Sequence, residues 1–416
     1  MLIVVGLLVV LGLVASIPPI RERLAYRLDE VRVRVRYALF PPEKVVFVPK
    51  QEASAPANTR TPTLPATATA TLLAAATSTP APTSTPLPGK VSLTGVKYED
   101  QHGLWNYCAP TNLAMALSYW GWQGTRLDTG AWLKPFQEDK NVMPYELLDY
   151  VQSQTGFKGV LRDGGTLNLV RSLIAGGFPV VIEKGVFIRE TTTGKNSWMG
   201  HYNLVTGFDD SNGNIIVQDS YYTPNYKITY ADFVNQWRGF NYTFLVIYPP
   251  EKEADVLHIL GDYADDASAE QIAAKKASEE IFSQTDTDQF LAWFNRGTSL
   301  QRLQDYAGAA DAYDQAFKLY ATLPEATRPY RIMWYQTGPY YAYYFMARYQ
   351  DVVDLATTTL SHVDKPYLEE SFFWRARAEN ALGDTKSAVD DLRTALKYHP
   401  NWQPALDQLA NLGEKP

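Results

Sequence analysis

Apolar and polar residues change their pattern several times along this chain, and each change predicts a different kind of segment. Met1 to Ile17 is an apolar run without charge that ends at two prolines. Such a run predicts an uncleaved transmembrane anchor over residues 1–19, with a buried core helix as the alternative. Six arginines and only a few acidic residues follow in residues 20–50, which we expect to be a basic juxtamembrane segment.

Residues 51–90 have a different composition, since they consist mostly of Thr, Ala, Pro and Ser. They predict a disordered linker, because they hold too little bulky apolar surface to pack. Stalks of this kind typically lift a domain off a cell surface, which favours extracytoplasmic domains. The arginines that follow the apolar run favour the opposite orientation, with the domains facing the cytoplasm. We expect the extracytoplasmic arrangement, and the cytoplasmic one stays open.

Between residues 91 and 250 the pattern becomes that of a folded domain. Apolar residues at helical spacing predict helices at 112–120, 144–153 and 166–177. Later apolar runs predict strands at 178–185, 201–210, 214–222 and 242–250, with a hairpin turn around Asn212 and Gly213. Helices followed by antiparallel strands predict an α+β domain.

The last part of the chain contains an internal repeat. A mixed-charge helical connector at 251–288 leads into residues 289–416, where 292–317 aligns with 371–398 and Gly297 with Ala376. This all-α pattern resembles the tetratricopeptide repeat, whose concave surface would hold a protein partner. A degenerate middle copy surrounds Gly338, and Pro339 interrupts its helix. An unrelated helical bundle is the alternative.

Composition narrows the possible chemistry. A formal charge of −7 gives no reason to expect nucleic acid as a partner. The single cysteine, Cys108, cannot form an intramolecular disulfide, a cysteine-rich zinc site or an iron–sulfur cluster. We therefore expect no metal and no cofactor.

Cys108 itself lies just before a predicted helix that has Pro110 in its first turn. Unpaired N–H groups and the helix dipole at that position favour a thiolate and could receive an oxyanion. A cysteine can also be an inert small hydrophobe, but that role would place it more naturally inside the apolar stripe of the helix. Position alone leaves both interpretations open.

A thiolate nucleophile needs a base, and His201 opens a strand-like run while Asp219 ends the next one. In a hairpin, His201 could take the thiol proton while Asp219 orients its ring. A two-residue turn would leave the two side chains out of register, so a longer loop or a bulge near Asp209 and Asp210 is required. His102 is a rival base. A sheet-edge histidine and a turn-forming carboxylate are the alternative roles for His201 and Asp219.

The stretches "WNYCAPTNLAMALSYWGW" and "GHYNLVTGFDDSNGNIIVQDSYY" resemble the C39-like branch of the papain-like cysteine peptidases. The resemblance covers about residues 92–250 and implies a papain-like fold. It implies Cys108 as nucleophile, His201 as general base and then acid, and Asp219 as the orienting carboxylate. It also implies Gln101 as the oxyanion-binding residue, with Asn106 as a weaker alternative.

Three functions follow from this resemblance. The first is a membrane-anchored cysteine peptidase that cleaves a peptide or protein, with the repeats recruiting substrate or partner. The second is a silent binding module, favoured by Ala109, which stands where the family usually has glycine. The third is an amidase or transglutaminase-type acyl transferase. The chain lacks a G-x-x-x-x-G-K-[ST] phosphate loop, so it is not an export transporter of the kind to which such peptidases are fused.

Several aromatic residues flank the proposed site in the sequence, and they could line a peptide cleft or belong to the core. They are Trp105, Tyr107, Trp198, Tyr202, Tyr221 and Tyr222.

Overall fold

The structure is a computed structural model that describes residue 28 and residues 31–50, 86–136, 139–190, 194–363 and 365–416. The predicted anchor at 1–19 and most of the predicted linker at 51–90 lie outside these residues. Among the residues described, no helix is both long and apolar enough to cross a membrane.

The helices of the first half surround one sheet, and their starts are specified locally. They are α1 (Cys108–Tyr119), α2 (Arg126–Leu133), α3 (Pro144–Gln154), α4 (Leu167–Ala175) and α5 (Tyr230–Arg238). Thr125 and Asp128 form a capping box at the start of α2. Pro144 begins α3, and the Glu146 carboxylate accepts a hydrogen bond from the Met143 N–H at 2.6 Å.

The strands described form a single antiparallel sheet. They are β1 (Lys90–Ser92), β2 (Lys158–Arg162), β3 (Val180–Arg189), β4 (Asn196–Asp209), β5 (Asn214–Gln218), β6 (Tyr226–Thr229) and β7 (Phe244–Tyr248). Their order is β2-β7-β3-β4-β5-β6, and β1 pairs with the last residues of β4. The predicted combination of helices and an antiparallel sheet is confirmed.

Both faces of this sheet are covered, because successive side chains of a strand point to opposite faces. Val181 of β3 packs in the cluster that contains Leu113 of α1. Its neighbour Val180 packs in the cluster that contains Leu173 of α4. Helix α1 therefore lies across one face of the sheet, with its first residue at the edge where the central strands meet the helical repeats.

The second half of the chain is helical. It contains α6 (Glu253–Leu260), α7 (Asp266–Ser283), α8 (Asp286–Arg302), α9 (Tyr306–Thr322), α10 (Ile332–Tyr335), α11 (Gly338–Phe345), α12 (Tyr349–Ser361), α13 (Glu369–Ala381), α14 (Thr385–Tyr398) and α15 (Gln403–Asn411). Helices α8 and α9 form one hairpin, as do α13 and α14. Gly297 of α8 lies against the Tyr313 ring of α9, where an added Cβ would come within 2.7 Å of the ring. Glycine is therefore required for this close approach.

The helix of the middle copy is interrupted next to Pro339. Helix α10 ends at Tyr335, and Pro339 occupies the first turn of α11, where a missing N–H costs nothing. The short helix α10 precedes α11, so the first helix of this copy is divided in two. This division leaves α10 separate from the stacked hairpins and in contact with β4.

The helical repeats pack directly on the sheet domain through buried polar contacts. Arg331 forms an ion pair with Glu190 just beyond β3 and donates to the Trp198 carbonyl of β4 at 3.2 Å. Asn295 of α8 donates to the Arg238 carbonyl at 2.9 Å. Because unpaired polar groups at these buried positions would be costly, the contacts specify how the two parts dock.

Residues 31–50, expected to lie beside a membrane, also pack against the folded body. Residues 31–39 are helical. Phe47 enters the core of the repeats, 5.1 Å from the Phe317 ring. Lys50 binds Asp354 at 2.7 Å, and Arg328 donates to the Glu43 carbonyl at 2.7 Å. This segment is thus part of the folded structure.

Candidate active site

Cys108 is the first residue of α1, and its side chain is half-buried at the edge of a cavity of about 360 Å³. At this position the backbone N–H of Cys108 has no carbonyl within the helix to bind, because the first N–H groups of a helix never do. The positive end of the helix dipole also lies here. Both features favour negative charge at the sulfur.

His201 and Asp219 meet beside Cys108. The His201 Nε2 lies 2.9 Å from Asp219 Oδ1, and both side chains are almost fully buried. His201 is also hydrogen-bonded to the Cys108 thiol. The ring therefore lies between the sulfur and the carboxylate, in the order expected of a catalytic triad.

A β-bulge brings Asp219 to this position. The register between β4 and β5 shifts between Val205 and Gly207, so that Leu204 pairs with Gln218. Extended by one residue, this register sets Asp219 opposite Asn203, which lies on the same strand face as His201. Without the bulge, Asp219 would lie opposite Leu204 and point to the other face.

Both a longer turn and a bulge are therefore present, but the bulge lies at a different place from the one predicted. The hairpin has a four-residue turn, 210–213, between Asp209 and Asn214, which pair with each other. The bulge lies at Thr206 within β4, several residues before Asp209 and Asp210.

Charges in the site favour a thiolate and an imidazolium. Burial raises the pKa of Cys108, but the hydrogen bond and charge of His201, the Tyr202 N–H and Lys134 outweigh it, so the pKa falls below its usual value. Burial lowers the pKa of His201, but Asp219 and the thiol raise it to about 9. Burial also raises the pKa of Asp219, yet His201 and Lys184 hold it well below its usual range.

Gln101 lines the same cavity as Cys108. Its amide oxygen accepts a hydrogen bond from Ser220 Oγ at 2.7 Å, and its backbone N–H binds the Ser220 carbonyl at 2.9 Å. The amide nitrogen is thus the end of the side chain left to donate. The alternative, Asn106, also lines the cavity, but its amide nitrogen donates to the Asp139 carbonyl at 2.9 Å.

Ala109 is the second residue of α1 and is buried beneath the cavity. Its backbone is helical, a conformation that any L-residue adopts without strain. The position therefore does not require a residue with positive φ, and the backbone gives no reason why glycine should be needed in place of Ala109.

The sequence did not point to two residues whose side chains hold the backbone around Cys108 in place. Asn112, one turn along α1, donates to the carbonyls of Cys108 and Tyr202, each at 2.9 Å, and so joins α1 to β4. Lys134 donates to the Trp105 carbonyl in the loop before Cys108. Burial lowers the pKa of Lys134 to about 8, against the charge of Asp139. Asn112 lies four residues after Cys108, and this helical spacing could be seen in the sequence. No sequence pattern indicated a role for Lys134.

Two neighbouring residues of β3 were also missed. Lys184 pairs with His201 in the strand register, and its Nζ lies 3.8 Å from Asp219 Oδ2. Burial lowers its pKa to about 8. Glu183 lines the cavity, and burial together with the charge of Cys108 raises its pKa well above the usual range. Their roles depend on strand register, which the sequence does not display.

The helical repeats complete the cavity. Arg331, Trp334 and Tyr335 of the segment around α10 line it, together with Val33 and Tyr37 of the N-terminal helix. The Tyr335 hydroxyl accepts a hydrogen bond from the Gly200 N–H, the residue before His201. The cavity beside Cys108 is therefore lined by residues from three separate parts of the chain.

The flanking aromatic residues divide between cleft and core. Trp105, Tyr202 and Tyr221 line the cavity. Tyr107 and Trp198 are buried in the core, and Tyr222 stacks on Tyr226 at 5.3 Å. The rival base His102 is exposed and binds Asp100 at 2.7 Å. It does not line the cavity that contains the thiol, whereas His201 does.

Comparisons with known proteins match separate parts of the chain. Residues 93–244 match the model described as the Peptidase_C39 like family, and residues 290–323 and 370–401 match tetratricopeptide repeats. The chain is similar to the crystal structure of a candidate C39-like peptidase from Bacillus anthracis. Their identity is 18% and the TM-score is 0.32, over 38% of this chain and 97% of that chain. A search of the curated proteins gives no match.

The α+β domain with its cysteine at a helix start therefore coincides with residues 93–244, the stretch that matches the C39-like family. The tetratricopeptide matches follow it in the helical part of the chain.

Proposed function

We propose that this protein is a cysteine peptidase that cleaves a peptide or protein by acyl transfer through Cys108, His201 and Asp219. The observation that supports this most directly is the hydrogen-bonded row from the Cys108 thiol through His201 to Asp219, in a cavity open to a substrate. The lowered pKa of the thiol and the raised pKa of His201 both favour the ion pair that attacks.

In the first half of the reaction, the Cys108 thiolate attacks the carbonyl carbon of the scissile bond. The carbonyl oxygen becomes an oxyanion, which the Cys108 N–H and the Gln101 amide would stabilise. As the C–N bond breaks, His201 gives its proton to the leaving amine. The product is a thioester on Cys108.

In the second half, water attacks the thioester and His201 accepts one of its protons. The C–S bond breaks, the acid product leaves, and the thiolate–imidazolium pair forms again. Asp219 keeps the ring oriented and stabilises its charge throughout. An amidase or acyl transferase would use the same groups with another scissile bond or acceptor.

The supporting parts of the chain complete the proposal. Tetratricopeptide repeats typically bind proteins, so we expect their concave surface to recruit a substrate or partner. The apolar run Met1–Ile17 would anchor the protein in a membrane, with its domains outside the cytoplasm.

The test is cleavage of a mixed peptide library, followed by mass spectrometry. We expect the protein to cut a defined subset of peptides and Cys108→Ala to cut none. His102→Ala is the matched control, since that histidine is exposed and outside the cavity, and it should keep full activity. Cleavage by Cys108→Ala would refute the proposal. No cleavage by the folded wild type, together with an unreactive thiol, would favour the silent binding module.

A further inference from the structure

The helix at residues 31–39 has two different faces. One face is directed inward, where Tyr37 is only 8% exposed and donates to the His362 carbonyl at 3.3 Å. Val33 and Tyr37 on this side line the cavity that contains Cys108. The chain after the helix is held by Phe47, Lys50 and their partners in the repeats, so the helix is fixed on the folded body.

The opposite face is apolar and exposed. Leu28 is 69% exposed, Val31 56%, Val35 52% and Leu39 68%. Spacings of three and four residues place these side chains in one stripe along a helix. Single exposed aliphatic residues are common, but a continuous stripe of them on a surface indicates an interaction site. We call these four residues the apolar stripe.

Arginines border the apolar stripe on both sides. At about 100° per residue, Arg32 falls beside one edge of the stripe and Arg34 beside the other. Residues 20–40 contain six arginines and three acidic residues, so this part of the chain is basic although the whole protein is acidic. An apolar stripe between rows of cationic side chains is typical of a helix that lies in the surface of a bilayer.

The sequence also places this helix near a membrane if the run Met1–Ile17 lies in one. Val31 follows Ile17 by fourteen positions. A fully extended chain of that length reaches roughly 50 Å, so the helix could not move far from the bilayer surface. A tether of this length makes even a weak surface contact effective, because the local concentration of lipid is high.

We propose that the apolar stripe lies in the interface of a bilayer that contains anionic lipids, with Arg32 at the level of the phosphates. A second copy of the chain fits this face less well, because pairing two such helices would bring their arginines together. The linker at 51–90 offers little acidic charge to pair with them. The surface of an anionic bilayer suits both groups, because its acyl chains contact the apolar stripe and its phosphates contact Arg32.

This arrangement gives the helix two roles at once. Its inner face covers the cavity of Cys108 while its outer face contacts lipid. The cavity would therefore open beside the membrane surface and accept chains that are held there. The proposal concerns lipid contact alone and does not depend on whether Cys108 is catalytic.

The experiment uses the full chain in vesicles, with Cys108→Ser so that one new cysteine can carry an environment-sensitive fluorophore. Val35→Cys carries the label in the apolar stripe. Leu382→Cys, an equally exposed position on the repeats at 52%, is the matched control. Vesicles consist of phosphatidylcholine alone or with phosphatidylglycerol, and each contains a brominated lipid that quenches fluorophores within the bilayer.

We expect the label at Val35 to shift to shorter wavelength and to be quenched, most strongly with phosphatidylglycerol, while the label at Leu382 stays unquenched. Arg32→Gln should lower the ratio of docked to undocked helix roughly fivefold, since one arginine near an anionic surface contributes about 1 kcal/mol. A label at Val35 that stays aqueous in both vesicles would overturn the proposal. In detergent, shielding of the label at Val35 that increases with protein concentration would also overturn the proposal. Such shielding would indicate that a second copy of the chain covers the apolar stripe.

Discussion

The chemistry of the site depends on a few charges around one sulfur. Burial alone would make Cys108 a poor nucleophile, because it disfavours the thiolate. His201, the Tyr202 N–H and Lys134 reverse this effect. Asp219 in turn favours the imidazolium form of His201. The reactivity of the thiol is therefore a property of the whole row of side chains.

Replacing Asp219 with Asn tests this coupling. The pKa of His201, about 9 in the wild type, should fall by roughly 1–3 units because the anionic partner is lost. The alkaline limb of kcat/KM, where His201 loses the proton needed by the leaving amine, should then move to lower pH by the same amount. Asp210→Asn, in the turn of the same hairpin, is the control and should leave the profile unchanged. An unshifted alkaline limb in Asp219→Asn would mean that the carboxylate does not act on the ring.

Gln101→Ala tests the oxyanion donor. Loss of one such donor typically lowers kcat by about 10²–10³, with little effect on substrate binding. We expect a decrease in kcat of that size and a nearly unchanged KM, measured on any peptide found in the library. The rate of Cys108 alkylation should not change, since no oxyanion forms in that reaction. A normal kcat would exclude Gln101 from this role.

At the scale of elements, two devices decide how the molecule is assembled. One is the bulge at Thr206, which turns Asp219 to the face of His201. The other is the contact of Gly297 with Tyr313, which sets the distance between α8 and α9. A single residue controls the geometry of a whole hairpin in each case.

Gly297→Leu should destabilise the protein, because an added side chain would collide with the Tyr313 ring. Overpacking of this kind costs about 1–3 kcal/mol in the free energy of unfolding. Gly156→Ala is the control, since no atom lies within 4 Å of the added Cβ, and it should change stability by less than about 0.5 kcal/mol. Urea denaturation measures both. Equal stability of Gly297→Leu and wild type would mean that the two helices do not pack closely there.

The sequence predicted most helices and strands but not the register in which the strands pair. Periodicity located α1, α3, α4, β3, β4, β5 and β7, since each has a clear apolar pattern. It missed the short helices α2 and α5 and the short strands β1, β2 and β6. The bulge at Thr206 has no signal in composition, because it arises from pairing between strands. Cys108, His201 and Asp219 could be proposed from their order, whereas Lys184 required the register.

For the whole molecule, the main finding is that the repeats form part of the cavity. Arg331 and Tyr335 contact β4 beside His201, and Val33 and Tyr37 of the N-terminal helix line the same cavity. Sequence analysis treated these parts as separate domains joined by a connector. These contacts leave no pattern in the sequence, because they join residues 57 to 141 positions apart.

Arg331→Met tests the docking. Removing one partner of a buried ion pair typically costs about 3–5 kcal/mol, and this variant takes the charge of Arg331 away from Glu190. Hydrogen exchange at the backbone of β4 around Trp198 should increase, and KM for peptides should rise. Lys275→Met breaks an exposed pair with Glu279 and should cost less than about 1 kcal/mol. If Arg331→Met behaved like this control, α10 would not hold the two parts together.

The pH dependence of Cys108 alkylation tests the central claim most directly, because the chain has no other cysteine. An uncharged reagent such as iodoacetamide is used on wild type and on His201→Ala. We predict rapid labelling of the wild type near neutral pH. His201→Ala should require a distinctly more alkaline pH, because burial then raises the pKa of the thiol without an opposing imidazolium. Slow labelling near neutral pH that is the same in both proteins would contradict the account.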